Sequence, residues 1–478
     1  MKKFLLFLLT ILPTFVLALN VYPMVNRVSV KPGDEVVVKI QLANTSGTEE
    51  KTKVNLHDFI IAGRSYIYNA PNYPYSLKNW IEVPATEVVL EPGEVRDFEV
   101  KIKVPPDFSG AQAFGALSFE FGPEKPTGGG VIARFRIMSI IILDIEGVKR
   151  DMSMDITDAK FYDLSEDAPK EYKEKYGDFG TVMVLKIKNT GNAVLALKGE
   201  MRVVSREFGK IVMSRPLSNE TFVVFPEREE EFTFFSDAVF PPGKLSVQFE
   251  GVSQGVRVAK SFEVVAFEKK KLERLAVRMN PDMMFFKIER PVINEKFQIQ
   301  NLTFEKLKIT PKVKEKQGFI TILPRKVVLA PYSAGNFYLK VDTRKAKLRD
   351  GDNIYHLTVE SPDPNVEVFG EPLIILRHGI GKTDHTVSMT ESSTETKQAT
   401  ILVENTGDML LEFQVIERLP LKTNALSDIF LVLPGEKKEI SFKYSVSDVM
   451  ARNAVLLRWR IYKEKEWKEE KLPWPESD

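Results

Sequence analysis

A four-fold internal repeat constrains the fold of this chain more than any other feature of its sequence. Each copy begins with a run of alternating residues that ends in asparagine, at Asn44, Asn189, Asn301 and Asn405. The residues two and four positions before each asparagine are apolar, which is the period of a strand with one face on a core. Asparagine tolerates the left-handed backbone region and bonds its own backbone two residues on, so each is predicted to end a strand and start a turn.

A second element follows each asparagine: an apolar residue, a proline two positions later, and a strand that begins six positions after the proline. Proline presets the first torsion of such a turn. Four ordered pairs of elements with fixed spacing inside the second element indicate domain duplication. The second elements are Leu90/Pro92/Phe98, Val224/Pro226/Phe232, Leu329/Pro331/Phe337 and Val432/Pro434/Ile440.

A turn and a final hairpin strand close the copies, with predicted strands at 116–119, 245–247, 355–359 and 455–457. The fourth copy is the least complete, since only 451–453 precede its strand as a turn. Short strands, Pro/Gly turns and roughly 100 residues per unit are typical of immunoglobulin-like sandwiches. One helix is predicted, at 168–176, and the charged tail from residue 463 is predicted to be disordered beyond the last strand.

The predicted fold class is therefore all-β, with four tandem immunoglobulin-like β-sandwich domains in an elongated array after a signal peptide. The predicted divisions are 1–18 (signal peptide), 19–146, 147–268, 269–379, 380–465 and the charged tail 466–478.

The N-terminus predicts export. Lys2 and Lys3 precede an apolar run that begins at Phe4, and a small-residue pattern places cleavage after Ala18. The alternative is an uncleaved anchor, although the run is slightly short for a membrane span. The chain has no cysteine, which excludes disulfides, thiolate metal sites and a lipid-modified cysteine. The predicted location is the periplasm, or the cell surface and medium.

Charge and motif content exclude several functions. The 67 Lys and Arg residues balance 66 Asp and Glu, so no global field attracts nucleic acid, and no nucleic-acid partner is predicted. No catalytic or nucleotide-binding motif occurs. We therefore predict no enzyme activity, no cofactor and no metal site. An enzyme with a site between domains stays open as an alternative.

The first unit resembles two related groups in the segments 75–84, 89–94, 104–107, 115–119 and 128–137. These are the Ig-like domain of WxL-type bacterial surface proteins and the N-terminal domain of PapD-like pilus chaperones. The later units resemble generic bacterial Ig-like repeat modules. The resemblance implies the sandwich fold and, for the chaperone group, capture of another exported protein by strand addition. The chain departs from both groups, with four repeats and no WxL motif.

Two surfaces are candidate binding sites. Tyr66, Tyr68, Tyr73 and Tyr75 fall within ten positions, and tyrosine offers a large contact area at low entropic cost. The alternative is that some of them plug the open end of the sandwich.

The second surface is the strand 131–143, represented by Ile137, Ile140 and Ile142, which is nearly all apolar from Ile137 onward. Such a run is shared with a partner by strand addition or is buried on both faces. In the second case the strand completes its own sheet and packs on the second unit.

The predicted function is that of an exported, non-enzymatic structural or interaction protein of the bacterial cell envelope. Its predicted partners are other exported proteins or a cell-envelope polymer. The alternative is a periplasmic chaperone for an exported or pilus-like subunit.

Overall fold

The computed structural model describes residues 19–62, 65–70, 72–122, 134–166, 168–267, 272, 274–393, 397–419 and 422–474. The chain is all-β, as the repeat predicts, and four β-sandwiches follow one another along it. The predicted signal peptide and part of the strand 131–143 (residues 131–133) lie outside the described residues. Within the described ranges, no helix is long and apolar enough to cross a membrane.

The first sandwich has two sheets around a shared core. Its strands are β1 (Leu19–Tyr22), β2 (Val25–Val30), β3 (Glu35–Asn44), β4 (Glu50–His57), β5 (Ile60–Ala62), β6 (Ser65–Ile67), β7 (Ile81–Glu82), β8 (Glu87–Leu90), β9 (Val95–Lys103), β10 (Gln112–Phe121) and β11 (Phe135–Ile145). The sheet orders are β1-β3-β9-β7 and β2-β11-β10-β4-β8, and β5 pairs with β6. On β9, Phe98, Val100 and Ile102 are buried and the residues between them are exposed, as the alternation predicts.

The second sandwich has a smaller first sheet. Its elements are β12 (Met154–Asp163), α1 (Lys170–Tyr176), β13 (Thr181–Asn189), β14 (Leu195–Ser205), β15 (Lys210–Leu217), β16 (Val223–Val224), β17 (Glu229–Ser236), β18 (Lys244–Ser253) and β19 (Val256–Val265). The sheet orders are β12-β13-β17 and β15-β14-β18-β19, with β16 also paired to β14. Helix α1 confirms the predicted helix and begins two residues later than predicted.

The third sandwich repeats the plan of the first. Its strands are β20 (Leu275–Asn280), β21 (Met283–Lys287), β22 (Val292–Asn301), β23 (Leu307–Val313), β24 (Ile320–Leu323), β25 (Val327–Leu329), β26 (Ala334–Asp342), β27 (Gly351–Glu360), β28 (Val366–Phe369) and β29 (Leu373–His378), and a 3-10 helix spans Thr343–Lys345. The sheet orders are β24-β26-β22-β20-β28 and β21-β29-β27-β23-β25.

The fourth sandwich repeats the plan of the second. Its elements are β30 (His385–Ser393), β31 (Gln398–Asn405), β32 (Leu411–Leu419), β33 (Lys422–Ala425), β34 (Phe430–Val432), β35 (Lys437–Lys443), α2 (Asp448–Ala454), β36 (Val455–Ile461) and β37 (Lys468–Lys471). The sheet orders are β30-β31-β35 and β33-β32-β36-β37, with β34 also paired to β32.

Two details of the fourth sandwich differ from the sequence prediction. The turn predicted at 451–453 is part of helix α2, whose Ala451 is fully buried in the core. The tail predicted to be disordered contains β37, which pairs with β36. Its Trp474 packs against Tyr444 at 5.3 Å between ring centroids. Apolar contact by this single tryptophan and strand pairing thus order a segment whose composition alone predicts disorder.

The four sandwiches form an alternating pattern that the sequence repeat does not reveal. In the first and third sandwiches, a short strand (β2 or β21) runs parallel to the last strand (β11 or β29). In the second and fourth, the first sheet has only three strands. The chain also divides into two compact units, Met1–Lys270 and Lys271–Asp478. Each unit therefore contains one sandwich of each kind, which indicates duplication of a two-sandwich unit. The individual domain boundaries predicted from the sequence stay predictions.

A buried asparagine side chain joins the two repeated elements in every sandwich. In the second, Asn189 Nδ2 donates to the carbonyl oxygens of Ala193 (2.8 Å) and Val224 (2.9 Å). Its Oδ1 accepts from the N–H of Gly191 at 2.9 Å. This side chain therefore holds the turn that follows its own strand and the strand that leads to the repeated proline. The same pattern occurs at Asn44, Asn301 and Asn405.

In the second and fourth sandwiches, the segment that leads into the sandwich packs on the turn after the asparagine. The N–H of Gly191 donates to Ser153 O at 3.1 Å, and the N–H of Gly407 donates to Asp384 O at 2.9 Å. A Cβ at Gly191 would collide with Asp151 O, and one at Gly407 would collide with Lys382 O. The Asn-Thr-Gly sequence that only these two copies share is therefore a signature of the joint between sandwiches.

The joint inside the second unit contains a buried ion pair. Arg377 on β29 donates two hydrogen bonds of 2.8 Å to the carboxylate of Asp352 on β27, and both side chains are at least 95% buried. Asp352 also accepts from the N–H of Leu410 at 2.6 Å, and Arg377 donates to Tyr462 O at 3.0 Å. Because Leu410 and Tyr462 belong to the fourth sandwich, the pair ties the third sandwich to the fourth.

Replacing a repeat asparagine is expected to destabilise its sandwich. Asn301→Ala should lower the unfolding free energy by about 1–3 kcal/mol, because the part-buried hydrogen bonds to Glu305 O and Ala330 O are lost. The control is Asn336→Ala, which removes an exposed amide from the same sandwich. Calorimetry of the full chain measures both, and equal shifts in the two variants would contradict the structural role of Asn301.

Breaking the buried ion pair is expected to cost more than breaking an exposed one. Arg377→Met should destabilise the second unit by about 3–5 kcal/mol, because Asp352 is left as an unpaired buried charge. Arg344→Met, which breaks a pair whose arginine is 66% exposed, should cost at most about 1 kcal/mol. Urea unfolding of both variants tests this. A cost for Arg377→Met no larger than that for Arg344→Met would show that the joint does not depend on the pair.

Candidate binding edge of the first sandwich

Strand β11 is only partly covered along its outer edge. On its inner side it pairs with β10 from Phe135 to Asp144. On its outer side, β2 pairs only with the stretch from Ile140 to Ile145. Within the described residues, no strand pairs with the outer side of residues 135–139, which we call the binding edge.

The backbone direction of the binding edge follows from one hydrogen bond. The N–H of Ile140 donates outward to Met24 O at 2.8 Å. Along a strand, every second residue directs its N–H and C=O to the same side. The peptide groups of Arg136 and Met138 therefore point outward, past the end of β2. An unpaired row of donors and acceptors is a template for another strand.

Exposed apolar side chains lie beside the binding edge. Tyr22, Met24 and Val25 are 72%, 60% and 53% exposed, and they lead into β2 at the point where its pairing with β11 starts. Phe135 is exposed at the other end and stacks on Phe121 at 5.6 Å between ring centroids. An extended segment added at the edge would therefore meet apolar surface at both ends.

Hydrogen bonds hold the lower end of the binding edge in place. Ser139 is fully buried, and its hydroxyl donates to Pro23 O at 2.8 Å. The Ser139 hydroxyl oxygen also accepts from Asn26 Nδ2 at 2.9 Å. The chain that leads into β2 is therefore anchored to Ser139, the last residue of the binding edge, beside the point where the pairing of β2 with β11 begins.

The third sandwich offers no matching open edge. Its strand β29 begins at Leu373, where the pairing with β21 also begins. The preceding strand, β28, pairs with β20 in the opposite sheet. The last strand of the first sandwich thus has an open stretch on its outer side, and the described residues 373–377 of β29 have none.

The candidate isoleucines of β11 lie on different faces. Ile137 is half-buried against the core of the first sandwich. Ile140 and Ile142 face the second sandwich, where they belong to a cluster with Val223 and Phe225. Their apolar run thus has one face on its own core and one on the neighbouring sandwich. A binding role for these three isoleucines stays a prediction.

The four candidate tyrosines divide into two pairs. Tyr75 is buried against Phe108, and Tyr73 donates its hydroxyl hydrogen bond to Pro226 O of the second sandwich at 3.1 Å. Burial is also the main reason that the pKa of Tyr73 is raised. Tyr66 is 56% exposed and stacks on Tyr68 at 6.1 Å between ring centroids. Tyr73 and Tyr75 therefore have packing partners on both sandwiches, and Tyr66 is the most accessible. A binding role for the four stays a prediction.

A polar network supports β11 at its joint with the second sandwich. Asp144 forms an ion pair with Arg27 of β2 and a second one with Arg150 at 2.9 Å. Burial favours a higher pKa for Asp144, but hydrogen bonds from Arg27 and Gln112 and the arginine charges outweigh it and lower the pKa. Gln112 in turn accepts from the N–H of Val194 at 3.0 Å.

This network and the buried ion pair of the second unit occupy equivalent positions. Gln112 and Asp144 face each other across β10 and β11, as Asp352 and Arg377 do across β27 and β29. Sequence reasoning missed both pairs, because residues on two strands are brought together only by sheet register. The shared Asn-Thr-Gly sequence is the available signal for these joints.

No protein-family model matches this chain, and no curated protein matches it. Among solved structures, the chain is similar to the class 5 fimbriae chaperone CfaA, at 12% identity over 53% of this chain and 100% of that chain, with a TM-score of 0.30. It is also similar to the CsuC–CsuE chaperone–tip subunit complex of Acinetobacter baumannii Csu pili, at 10% identity over 45% and 90%, with a TM-score of 0.25.

A third similar structure is PapD-like domain 7 of human CEP192, at 9% identity over 28% of this chain and 87% of that domain, with a TM-score of 0.20. The similar structures therefore include pilus chaperones and a PapD-like domain, which is the group that the first unit was expected to resemble. The resemblance concerns the fold.

The Asp144 network is expected to make the first unit sensitive to acid. A carboxylate with a lowered folded-state pKa contributes stability above its unfolded pKa, and that contribution is lost as the pH falls through the folded pKa. The urea concentration at which the first unit is half unfolded should therefore decrease as the pH is lowered from about 5 to about 2. Asp144→Asn should flatten this dependence, and the exposed control Asp97→Asn should not. Identical pH profiles for the two variants, measured by urea unfolding, would contradict the assignment.

Proposed function

We propose that this chain is an exported, non-enzymatic interaction protein that binds an extended segment of another exported protein by strand addition at the binding edge. The observation that carries the proposal is the open outer side of residues 135–139, between exposed apolar side chains. In strand addition, main-chain hydrogen bonds supply affinity and alternate side chains supply specificity. The binding edge offers both kinds of contact.

The surroundings of the binding edge favour a persistent docking site over an accidental strand end. Natural proteins protect exposed edges with charges, prolines or covering segments. Beside this edge Tyr22, Met24, Val25 and Phe135 are exposed apolar side chains, and the cation within it, Arg136, is paired with Glu120. The equivalent strand of the third sandwich has no such opening, which supports a specific role for the first unit.

The polar network of β11 suits this role. A strand that accepts a partner must keep its shape while its outer peptide groups are unpaired. Asp144 and Arg27 fix the covered half of β11 through charged hydrogen bonds, and the Ser139 hydroxyl fixes the adjoining end of the binding edge. The open half is therefore presented on a rigid support, which lowers the ordering cost of binding.

Retention and release of the bound segment are two forms of the same function. A structural protein of the envelope would keep its partner, and a chaperone would release it to an assembly site. Dissociation of a selected peptide from the full chain separates them. A residence time of hours favours the scaffold, and exchange within seconds to minutes favours the chaperone.

The proposal is tested with a displayed library of 12-residue peptides and the full chain from Leu19. The selected peptides should alternate apolar and polar residues. Met138→Pro removes an outward N–H from the binding edge and should raise the dissociation constant of a selected peptide at least tenfold, which is about 1.4 kcal/mol. Proline is tolerated at a strand position whose N–H is unpaired, so the fold should persist.

Met138→Ala is the matched control, because it shortens the side chain and keeps the N–H. Its dissociation constant should stay within about threefold of the original value, since the backbone donor remains. Unfolding midpoints of both variants verify that the sandwich is intact. Equal peptide affinity for Met138→Pro and Met138→Ala in folded protein would rule out strand addition at this edge.

A further inference from the structure

A second candidate surface lies on the fourth sandwich, at the hairpin between β36 and β37. In the second sandwich, the equivalent hairpin between β18 and β19 closes with the two-residue turn Gln254–Gly255. In the fourth, six residues separate the two strands. The joint to the third sandwich uses only the first of these six, Tyr462, whose carbonyl oxygen accepts from Arg377 at 3.0 Å. The N–H of Glu464 closes a turn on Ile461 O at 2.9 Å, and residues 465–467 lengthen the hairpin beyond this turn.

This extension encloses a cleft of about 500 Å³. Its cationic lining residues are Arg460, Lys463, Lys465 and Lys468, and its other lining residues are Trp459, Ile461, Glu464 and Glu466. We call this cleft the hairpin cleft.

Aromatic side chains hold both arms of the hairpin. The guanidinium groups of Arg458 and Arg460 lie 4.6 and 4.4 Å from the centroid of the Trp467 ring. On the other face, Lys468 Nζ lies 4.7 Å from the ring centroid of Trp459. Cation–π contacts of this kind stabilise a hairpin surface while the polar heads stay in water. The hairpin cleft is thus preformed around indole and ammonium groups.

The ammonium groups of Lys463 and Lys468 lie over the rings of Tyr462 and Trp459, at 5.1 and 4.7 Å from the ring centroids. Lys463, Lys465 and Lys468 form no ion pair with any described residue, and the same holds for Glu464 and Glu466. All five are exposed. The rim therefore presents three ammonium donors and two carboxylate acceptors to solvent, with an excess of positive charge.

Exposed ammonium and carboxylate groups at one cleft favour a ligand that carries both anionic groups and hydroxyls. Ammonium groups pair with ligand carboxylates, and glutamate oxygens accept hydrogen bonds from ligand hydroxyls. The indole of Trp459, over which Lys468 lies, adds apolar lining to the cleft. A polyphosphate offers few hydroxyl donors to the two glutamates, whereas a sugar that carries a carboxylate offers an anion to the ammonium groups and hydroxyl donors to the glutamates.

We propose that the hairpin cleft binds an acidic polysaccharide through its carboxylates and hydroxyls. The site is independent of the binding edge, so either can fail without the other. A chain with both sites would connect an exported protein to an acidic polymer, because the two surfaces lie on different sandwiches.

Titration calorimetry with the full chain from Leu19 tests the proposal, using the hexasaccharide of galacturonic acid as the probe. The variant Lys463→Gln/Lys465→Gln should weaken binding at least tenfold, since it removes two charge-assisted contacts. The matched control Lys422→Gln removes an exposed lysine from the edge strand β33 of the same sandwich and should stay within twofold. The neutral hexasaccharide of glucose should bind at least tenfold more weakly than the acidic one.

A hexaglutamate peptide separates sugar recognition from simple charge attraction. The proposal expects this peptide to bind at least tenfold more weakly than the acidic hexasaccharide. Three results would overturn the proposal: no binding of the acidic hexasaccharide, equal binding of hexaglutamate, or equal loss in the double variant and the Lys422→Gln control. Failure of strand addition at β11 would leave this experiment unaffected.

Discussion

The rest of the structure depends on the hydrogen bonds of one buried asparagine side chain, which ends the first repeated strand of each sandwich, at β3, β13, β22 and β31. At Asn189 and its three counterparts, one amide satisfies the carbonyl oxygens of two separate segments and accepts an N–H from its own turn. Buried polar backbone groups must be paired, and here a single side chain pairs them at the end of the sandwich where strands change sheet. The turn it holds is also the surface on which the linker packs in the second and fourth sandwiches. The turn inside the sandwich and the joint between sandwiches thus both depend on this asparagine.

The joints between sandwiches use residue pairs at equivalent positions, but the two pairs differ in side-chain chemistry. The first unit uses Gln112 and Asp144, and the second uses Asp352 and Arg377, at matching positions of the two central strands. In both units a side chain on the first of these strands accepts the N–H of the residue five positions after the repeat asparagine, at Val194 or Leu410. Polar groups buried at such a joint cost free energy unless each has a hydrogen-bond partner. These contacts therefore specify one arrangement of the two sandwiches inside each unit. That arrangement places Ile140 and Ile142 of β11 against the second sandwich and leaves residues 135–139 beyond it.

Periodic features of the chain were predictable, and features that depend on register were not. The strands that end at the four asparagines and the buried face of β9 follow from period-two alternation. The tail was mispredicted because its composition is charged, whereas Trp474 and the pairing of β37 with β36 supply order that composition does not record. Helix α2 was mispredicted as a turn because its short segment has no helical period long enough to detect, and burial of Ala451 decides its form.

The sequence by itself determined the all-β class, the repeated strand-and-turn elements and the candidate strand β11, because each depends on the order of residues along a short stretch. The tertiary structure alone decided that β2 covers only Ile140 to Ile145, that β21 covers the equivalent strand β29 from Leu373 to Arg377, and that the hairpin after β36 lines a cleft. Each of these depends on where one strand ends relative to a neighbour that is distant in the chain. Such offsets are set by packing and hydrogen bonding across the sheet, and a pattern read along one strand contains no information about them.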